Sequence, residues 1–294
     1  MAYTVNIVHA FVDDDRGGNP AGVVLNADGL SPSAKAHIAR QIGLSETAFV
    51  SASDVADVKL EFFTPTRQIP HCGHATIATF GLLAQRGMLT GDAASKETID
   101  GTRRIRMRDD AAFMEQLAPT YTGEDRFPSG VTTDRILASL GLAARDVLAP
   151  PCAVATGNRF LLIHVRSVDI LRRIHPDLGE VGRIGEALEA VGYYVFAQDG
   201  DEFDATTRMF APHYGIDEEA ATGMAAGPLA CYLHDRIGLA KTNILIRQGV
   251  YMREPSPSRI AVELNVTDGK IVSLFAGGRA RVVSSVDIQL QGQG

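Results

Sequence analysis

One pattern occurs twice in this chain, in the same order, and it constrains the fold more than any other feature. In the first half Gly18-Asn19 is followed by Phe63-Thr64-Pro65 and then by Gly73-His74-Ala75. In the second half Gly157-Asn158 is followed by Phe210-Ala211-Pro212 and then by Gly223-Met224-Ala225. The offset between the halves stays within roughly 140 to 150 residues, the behaviour of an internal repeat. Any one of these short patterns is weak; three in one order read as a duplicated domain. A length of 294 residues also suits two domains. The irregular stretch 118–130, with Pro119, Gly123, Pro128 and Gly130, marks the boundary. The expected division is 1–120 and 121–294, with the last strand free to pack back on the first domain.

The pattern around these landmarks predicts elements of two kinds. Residues 3–12, 21–25, 47–51 and 59–64 read as strands, and a helix capped by Ser31 or Ser33 runs through residue 42 with Ala34, Ile38 and Ile42 on one face. Residues 74–85 form a helix rich in small residues that ends at Gly87. In the second half, 159–165, 193–197, 206–211, 244–247, 260–266, 270–275 and 280–284 have strand character. Residues 184–191 and 223–235 read as helices, and the tail 289–294 as frayed.

Each small-residue helix begins with glycine after a proline-bearing loop. First-turn N–H groups lack partners inside a helix and carry partial positive charge, so they bind anions such as carboxylates. Two such starts facing one cleft would clamp a small acidic molecule. Close packing of two buried helices accounts for the same residues, and spacing alone does not separate the two readings.

Composition removes several classes of function. Hydrophobic content of 45% and charged content of 21% are those of an ordinary globular core. The chain has no Trp and 6% aromatic residues, which argues against a surface that stacks sugars or single-stranded bases. A net charge of −7 argues against a nucleic-acid partner, because neutralising phosphates needs a basic face. Cys72, Cys152 and Cys231 are few, odd in number and far apart, which speaks against a disulfide framework. No basic, apolar leader opens the sequence and no apolar run approaches the ~18 residues of a membrane span. The expectation is a cytoplasmic protein that contacts neither membrane nor nucleic acid.

Among polar residues, Glu46 lies between a helix end and an apolar strand, where a carboxyl group is sheltered enough to exchange protons; a surface glutamate beside a turn fits the same position. His71-Cys72-Gly73-His74 has one Cys between two His and no second ligand cluster at zinc spacing, so no metal is expected. His74, one residue into its helix, is placed either to donate a hydrogen bond into the cleft or to serve as a structural histidine. Cys72 invites comparison with racemases that use two opposed bases, but its counterpart in the repeat falls near residues 220–222, where there is no Cys.

Gly18-Asn19-Pro20-Ala21-Gly22-Val23-Val24, Leu44-Ser45-Glu46-Thr47-Ala48-Phe49-Val50, Phe63-Thr64-Pro65, Cys72-Gly73-His74-Ala75-Thr76, Ala221-Thr222-Gly223 and the closing Gly277-Gly278-Arg279-Ala280-Arg281-Val282 occur in an order and spacing that resembles the PhzF-like family over nearly the whole chain. The resemblance implies the diaminopimelate-epimerase-like α/β (α+β) fold, with two pseudo-symmetric domains, each a curled, mostly antiparallel sheet around a central helix. It also implies a homodimer, and a cofactor-independent isomerase like the one acting on trans-2,3-dihydro-3-hydroxyanthranilate. Carried over, Glu46 matches the family's proton-shuttling glutamate, and His74 its helix-start histidine. Gly73, Glu219, Thr222, Gly223 and Met224 fall at substrate-binding positions.

The chain departs from the family at three positions. Glu219 stands where aspartate is usual, and His9 likewise in the first strand. Met224 replaces a hydroxyl that would bind the substrate carboxylate; a thioether donates nothing. Losing that bond to a charged group costs about 1.5–3 kcal/mol unless compensated. The expected function is a proton shift between carbons of a small unsaturated, carboxylate-bearing metabolite. The alternatives are an epimerase or racemase using Cys72 with another base, and a non-catalytic member that binds a metabolite or protein.

Overall fold

Two helices, Gly73–Gln85 and Gly223–Tyr232, are rich in small and apolar residues on every side, and almost all their residues are buried. A helix apolar all round requires an enclosing wall, and strands supply it for both. The computed structural model describes residues 2–198, 200 and 202–290.

In chain order the first part of the sequence forms β1 (Ala2–Ala10), β2 (Asn19–Val24), α1 (Pro32–Ile42), β3 (Thr47–Ser51), β4 (Val58–Phe63), β5 (Gln68–Ile69), α2 (Gly73–Gln85), β6 (Ala93–Thr98), β7 (Gly101–Arg108) and β8 (Ala111–Leu117). The second part forms β9 (Thr120–Thr122), α3 (Thr133–Ala138), β10 (Cys152–Ala155), β11 (Arg159–His164), α4 (Val168–Arg172), α5 (Leu178–Ala187), β12 (Gly192–Ala197), β13 (Ala205–Ala211), β14 (Ile216–Glu219), α6 (Gly223–Tyr232), β15 (Asn243–Gln248), β16 (Ser258–Thr267) and β17 (Lys270–Gln289). The chain divides into one unit of Met1–Glu115 with Gly277–Gly294 and another of Gln116–Ala276.

In the first unit, β1 pairs antiparallel with both β2 and β17. The β2–β3 and β4–β6 pairs are parallel, with α1 and α2 as their crossovers, while β3–β4, β6–β7 and β7–β8 are antiparallel. β17 also pairs with β8, so the sheet curls around α2. The helix sits tightly against this wall: a Cβ on Gly81 would come within 2.5 Å of Ala280 Cβ. On the sheet's other face α1 packs Ile38 and Ala39 against Val5, Val24 and Phe49. Each of the buried Ile, Val and Phe side chains contributes about 1.5–3 kcal/mol.

The second unit repeats the plan. β11–β12 and β13–β15 are parallel, bridged by α4–α5 and by α6, and β9–β10, β10–β11, β12–β13 and β15–β16 are antiparallel. The α6 helix contacts β10, β11 and β16, and α3 and α5 cover the opposite face through Leu137, Val181 and Ile184. The repeated landmarks therefore occupy equivalent places. Asn19 opens β2 and Asn158 immediately precedes β11; Phe63 ends β4 and Ala211 ends β13; Gly73 and Gly223 begin the enclosed helices.

Several element boundaries differ from expectation. The helix expected over 184–191 begins earlier, at Leu178, because Asp177 accepts the Glu180 N–H as an N-cap; it ends at Ala187, before Glu189 adopts a left-handed φ of 50°. The helix expected over 223–235 is α-helical to Tyr232 and continues as a π-helical turn, Leu233–Ile237, ended by Gly238 at φ 79°. The strands expected over 270–275 and 280–284 are one strand, since Gly277 and Gly278 stay extended within β17. The stretch 118–130 is not wholly irregular, because Thr120–Thr122 pairs with β10. Of the tail expected to fray, residues 291–294 lie outside the described residues. No helix among the described residues is long and apolar enough to cross a membrane.

Candidate active site

Glu46 is fixed by its neighbours on both sides. The α1 helix ends at Gly43, whose φ of 70° reverses the chain, and three residues later the Glu46 carbonyl accepts the Gly22 N–H at 3.1 Å. This places Glu46 at the mouth of the parallel β2–β3 pair with 7% of its surface exposed. Across from it, Cys72 and His74 flank the Gly73 start of α2, and both are buried.

The His74 imidazole links the other two side chains. Its Nε2 lies 3.3 Å from Glu46 Oε2, and its Nδ1 lies 3.5 Å from Cys72 Sγ. An isolated charge here would be expensive, and the carboxyl and imidazole stand within ion-pair distance of one another. Such a pair suits proton exchange with a carbon acid, the carboxylate as base and the imidazole as its partner.

Glu46, Cys72 and His74 carry ligand atoms within 4.8 Å of one another. A single ion would need these donors to converge on it. The short contacts instead use opposite nitrogens of one ring, Nδ1 towards sulfur and Nε2 towards carboxylate. A mononuclear metal takes one nitrogen per imidazole, so these two shortest contacts are not both those of one chelate.

In the second unit the loop before α6 is organised from β15. Gln248, fully buried, accepts from Thr222 N at 3.1 Å and from Tyr194 Oη at 2.9 Å through Oε1. Through Nε2 it donates to the Glu219 carbonyl at 2.7 Å and to Thr222 Oγ1 at 3.1 Å. The Thr222 hydroxyl donates to Glu219 Oε2, so it does not cap α6. The adjacent glutamates have separate roles: Glu218 takes both branches of the Arg208 guanidinium at 2.8 Å, and Glu219 faces Thr222. Met224 Sδ accepts the side-chain amide of Asn158 at 3.5 Å, joining two of the repeated landmarks.

Of the residues singled out in the sequence, Glu46, Cys72, Gly73 and His74 thus come together in the first unit. Glu219, Thr222, Gly223 and Met224 come together in the second. His9, the first-strand departure, bonds the Gly17 carbonyl at 2.7 Å. Gln248 and Lys96 were not singled out. Both carried a signal, since alternation along Ile244-x-Ile246-x-Gln248 and Ala94-x-Lys96-x-Thr98 puts a polar residue at an inward-facing position.

Residues 8–285 match the family described as phenazine biosynthesis-like protein. An uncharacterized isomerase of Clostridium acetobutylicum is 32% identical, covering 98% of each chain. A trans-2,3-dihydro-3-hydroxyanthranilate isomerase of Pseudomonas fluorescens is 32% identical over 85% of this chain and 87% of its own. A crystal structure of a PhzF-family phenazine biosynthesis protein of Bacillus anthracis superposes with a TM-score of 0.87 at 24% identity, covering 99% of this chain and 100% of that one. A hydroxyproline epimerase of Agrobacterium vitis and a probable proline racemase of Agrobacterium radiobacter share the fold at lower similarity, with TM-scores of 0.60 and 0.62 at 14% identity. With two curled-sheet units, each enclosing a glycine-led helix, and a match along most of its length, the chain is an isomerase that belongs to the phenazine biosynthesis-like family.

Proposed function

We propose that this isomerase moves a proton between carbons of a small unsaturated carboxylate without a cofactor, with Glu46 as the only proton shuttle. The observation that carries this reading is the buried Glu46–His74 pair, 3.3 Å apart at the start of an uncapped helix. Glu46 takes a proton from one carbon, the electron pair delocalises into the unsaturated system, and the same carboxyl returns the proton to another carbon on the same face. His74 holds the carboxyl in place and steadies charge on the substituent next to the reacting carbon. First-turn N–H groups at Gly73 are proposed as carboxylate donors; in the second unit, considered by itself, the Thr222–Gly223 helix start is proposed as an anion-binding position with Glu219 as its polar neighbour.

The substrate is proposed to differ from that of the Pseudomonas enzyme, because Met224 stands at a position where the family resemblance implies a hydroxyl. The thioether already accepts from Asn158, and it supplies no donor. The test is a screen of unsaturated carboxylic acids in heavy water for incorporation of solvent deuterium, followed by Glu46→Gln. Incorporation that survives this substitution at the original rate refutes the assignment.

A second reading draws on the 3.5 Å contact between Cys72 Sγ and His74 Nδ1. A thiol against an imidazole is an activated base, so an epimerase could use Cys72 with another base. Cys72→Ser then stops exchange at the α-carbon; under the first reading it leaves the proton shift largely intact.

A further inference from the structure

Lys96 is a buried cost in the first unit with no evident return. Its side chain is fully buried on β6, and no carboxylate among the described residues lies within ion-pair distance. An apolar side chain of equal length would fill the same space without desolvating an amine. Burial alone pushes its pKa down strongly, to about 7 after the smaller effects of Cys72, Arg103 and Asp100.

The surroundings satisfy the amine without a carboxylate. Nζ donates to Thr76 Oγ1 at 2.7 Å and meets His71 Nδ1 at 3.2 Å, with the Phe62 ring 5.2 Å away. Burial, then the charges of Lys96 and Arg103, keep His71 well below the ordinary imidazole range and therefore neutral, with a lone pair to offer. Two N–H groups thus find two acceptors. The chain of bonds continues past the lysine: Thr76 Oγ1 donates to the Cys72 carbonyl at 2.6 Å, and Thr76 N bonds the same oxygen at 3.3 Å. One amine therefore ties down residues 71, 72 and 76, and the imidazole of His74 is carried between them.

We propose that Lys96 is a positioning residue for the Glu46–His74 pair, acting through His71, Thr76 and the Cys72 carbonyl to set where the imidazole stands. It touches neither member of the pair, so its effect travels through the backbone at the start of α2. For turnover this rests on the function proposed above; for geometry it does not.

The test reads His74 directly. Ring resonances of His74, assigned by their loss in His74→Gln, are compared by NMR in the parent, Lys96→Met and Thr76→Val. Both variants are expected to melt no lower than a few degrees below the parent, yet to displace the His74 ring signals and alter the balance between its tautomers. With a substrate in hand, Lys96→Met is expected to lower kcat by roughly tenfold to a hundredfold with little change in KM, the scale set by a small misplacement of a reacting group. Unchanged His74 signals in a folded variant overturn the proposal, and Thr76→Val decides alone if Lys96→Met does not fold. Displaced His74 signals in a protein that exchanges no carbon-bound proton uphold the positioning and count against the proposed reaction instead.

Discussion

Gln248 grips Thr222 with both ends of its amide, Oε1 accepting from the Thr222 N–H and Nε2 donating to the Thr222 hydroxyl, each at 3.1 Å. With the further bonds to Tyr194 and the Glu219 carbonyl, no polar atom of this buried side chain is left over. Gln248→Glu keeps the shape but removes both N–H donors, setting a carboxylate oxygen against the Glu219 carbonyl. The expected cost is about 1–3 kcal/mol in urea unfolding, the penalty for buried groups left unmatched. Substrate affinity is expected to fall more than in Gln248→Met, because the added charge sits beside the helix start that would receive an anion. A stability equal to the parent would mean that the loop before α6 is held by other contacts.

The Glu46–His74 pair is open to the same kind of measurement without a substrate. His74→Phe leaves a sheltered carboxyl beside a ring that cannot share its proton, while in Glu46→Gln the imidazole loses its acidic partner. If the two act as a unit, the double variant is less destabilised than the sum of the singles, by about 0.5–3 kcal/mol. Denaturant unfolding of the four proteins at pH 7 gives this coupling. A coupling indistinguishable from zero would show that the 3.3 Å approach carries no energy.

Much of this arrangement was legible in the sequence because it rests on local rules. Thr47–Ser51 follows from its β-branched and aromatic run, and α1 from the Ser31 cap and the Gly43 stop. The repeat put Gly73 and Gly223 at equivalent helix starts. Elements whose ends depend on packing were less visible. The Gly277-Gly278 pair reads as a break, yet a Cβ on Gly277 would meet the Ala112 carbonyl within 2.1 Å, so glycine there serves close passage of one strand by another. Residues 93–117 carry only a faint strand signal, because the hydrophobic alternation is interrupted by Lys96 and Gln116, polar side chains turned inward to partners distant in sequence. The site divides the same way: Glu46, His74 and Thr222 stand in recognisable strings, whereas alternation marks Gln248 and Lys96 only as inward-facing polar residues and their partners give them a role.

His164 makes stability depend on pH in a definite direction. It stacks on Phe196 with ring centroids 4.4 Å apart, its Nε2 is buried without a hydrogen bond among the described residues, and burial lowers its pKa to about 4. The unfolded chain, with an ordinary imidazole near 6.5, therefore takes up a proton that the folded chain refuses. Stability contributed by the neutral ring is complete above pH 6.5 and is lost as pH falls from there through 4, amounting to about 3 kcal/mol at most. His164→Phe keeps a ring over Phe196 and has nothing to protonate. Between pH 7 and 4.5 the variant is expected to lose less stability than the parent in urea titrations; parallel losses would show that His164 is not the group responsible.

Arg208 ends in a fully matched site, which makes its removal informative. Its Nε and one Nη meet the two Glu218 oxygens at 2.8 Å, the other Nη reaches the Ile174 carbonyl at 2.9 Å and the Leu171 carbonyl at 3.3 Å, and the guanidinium lies 5.0 Å from the Phe210 ring centroid. It thereby ties the β13–β14 pair to the end of α4, and β14 ends at Glu219. Glu218→Ala leaves a guanidinium of 7% exposure without its carboxylate, for which the expected loss is about 3–5 kcal/mol. Arg208→Met with Glu218→Met removes both charges and is expected to recover most of it, since the pair's attraction is largely offset by its desolvation. Arg208→Lys, a point charge that cannot bridge both oxygens and the carbonyls together, should fall between. Urea unfolding of the three variants separates the outcomes: a double variant as unstable as Glu218→Ala would mean that the bonds from Arg208 to the α4 carbonyls, rather than the ion pair, hold this corner.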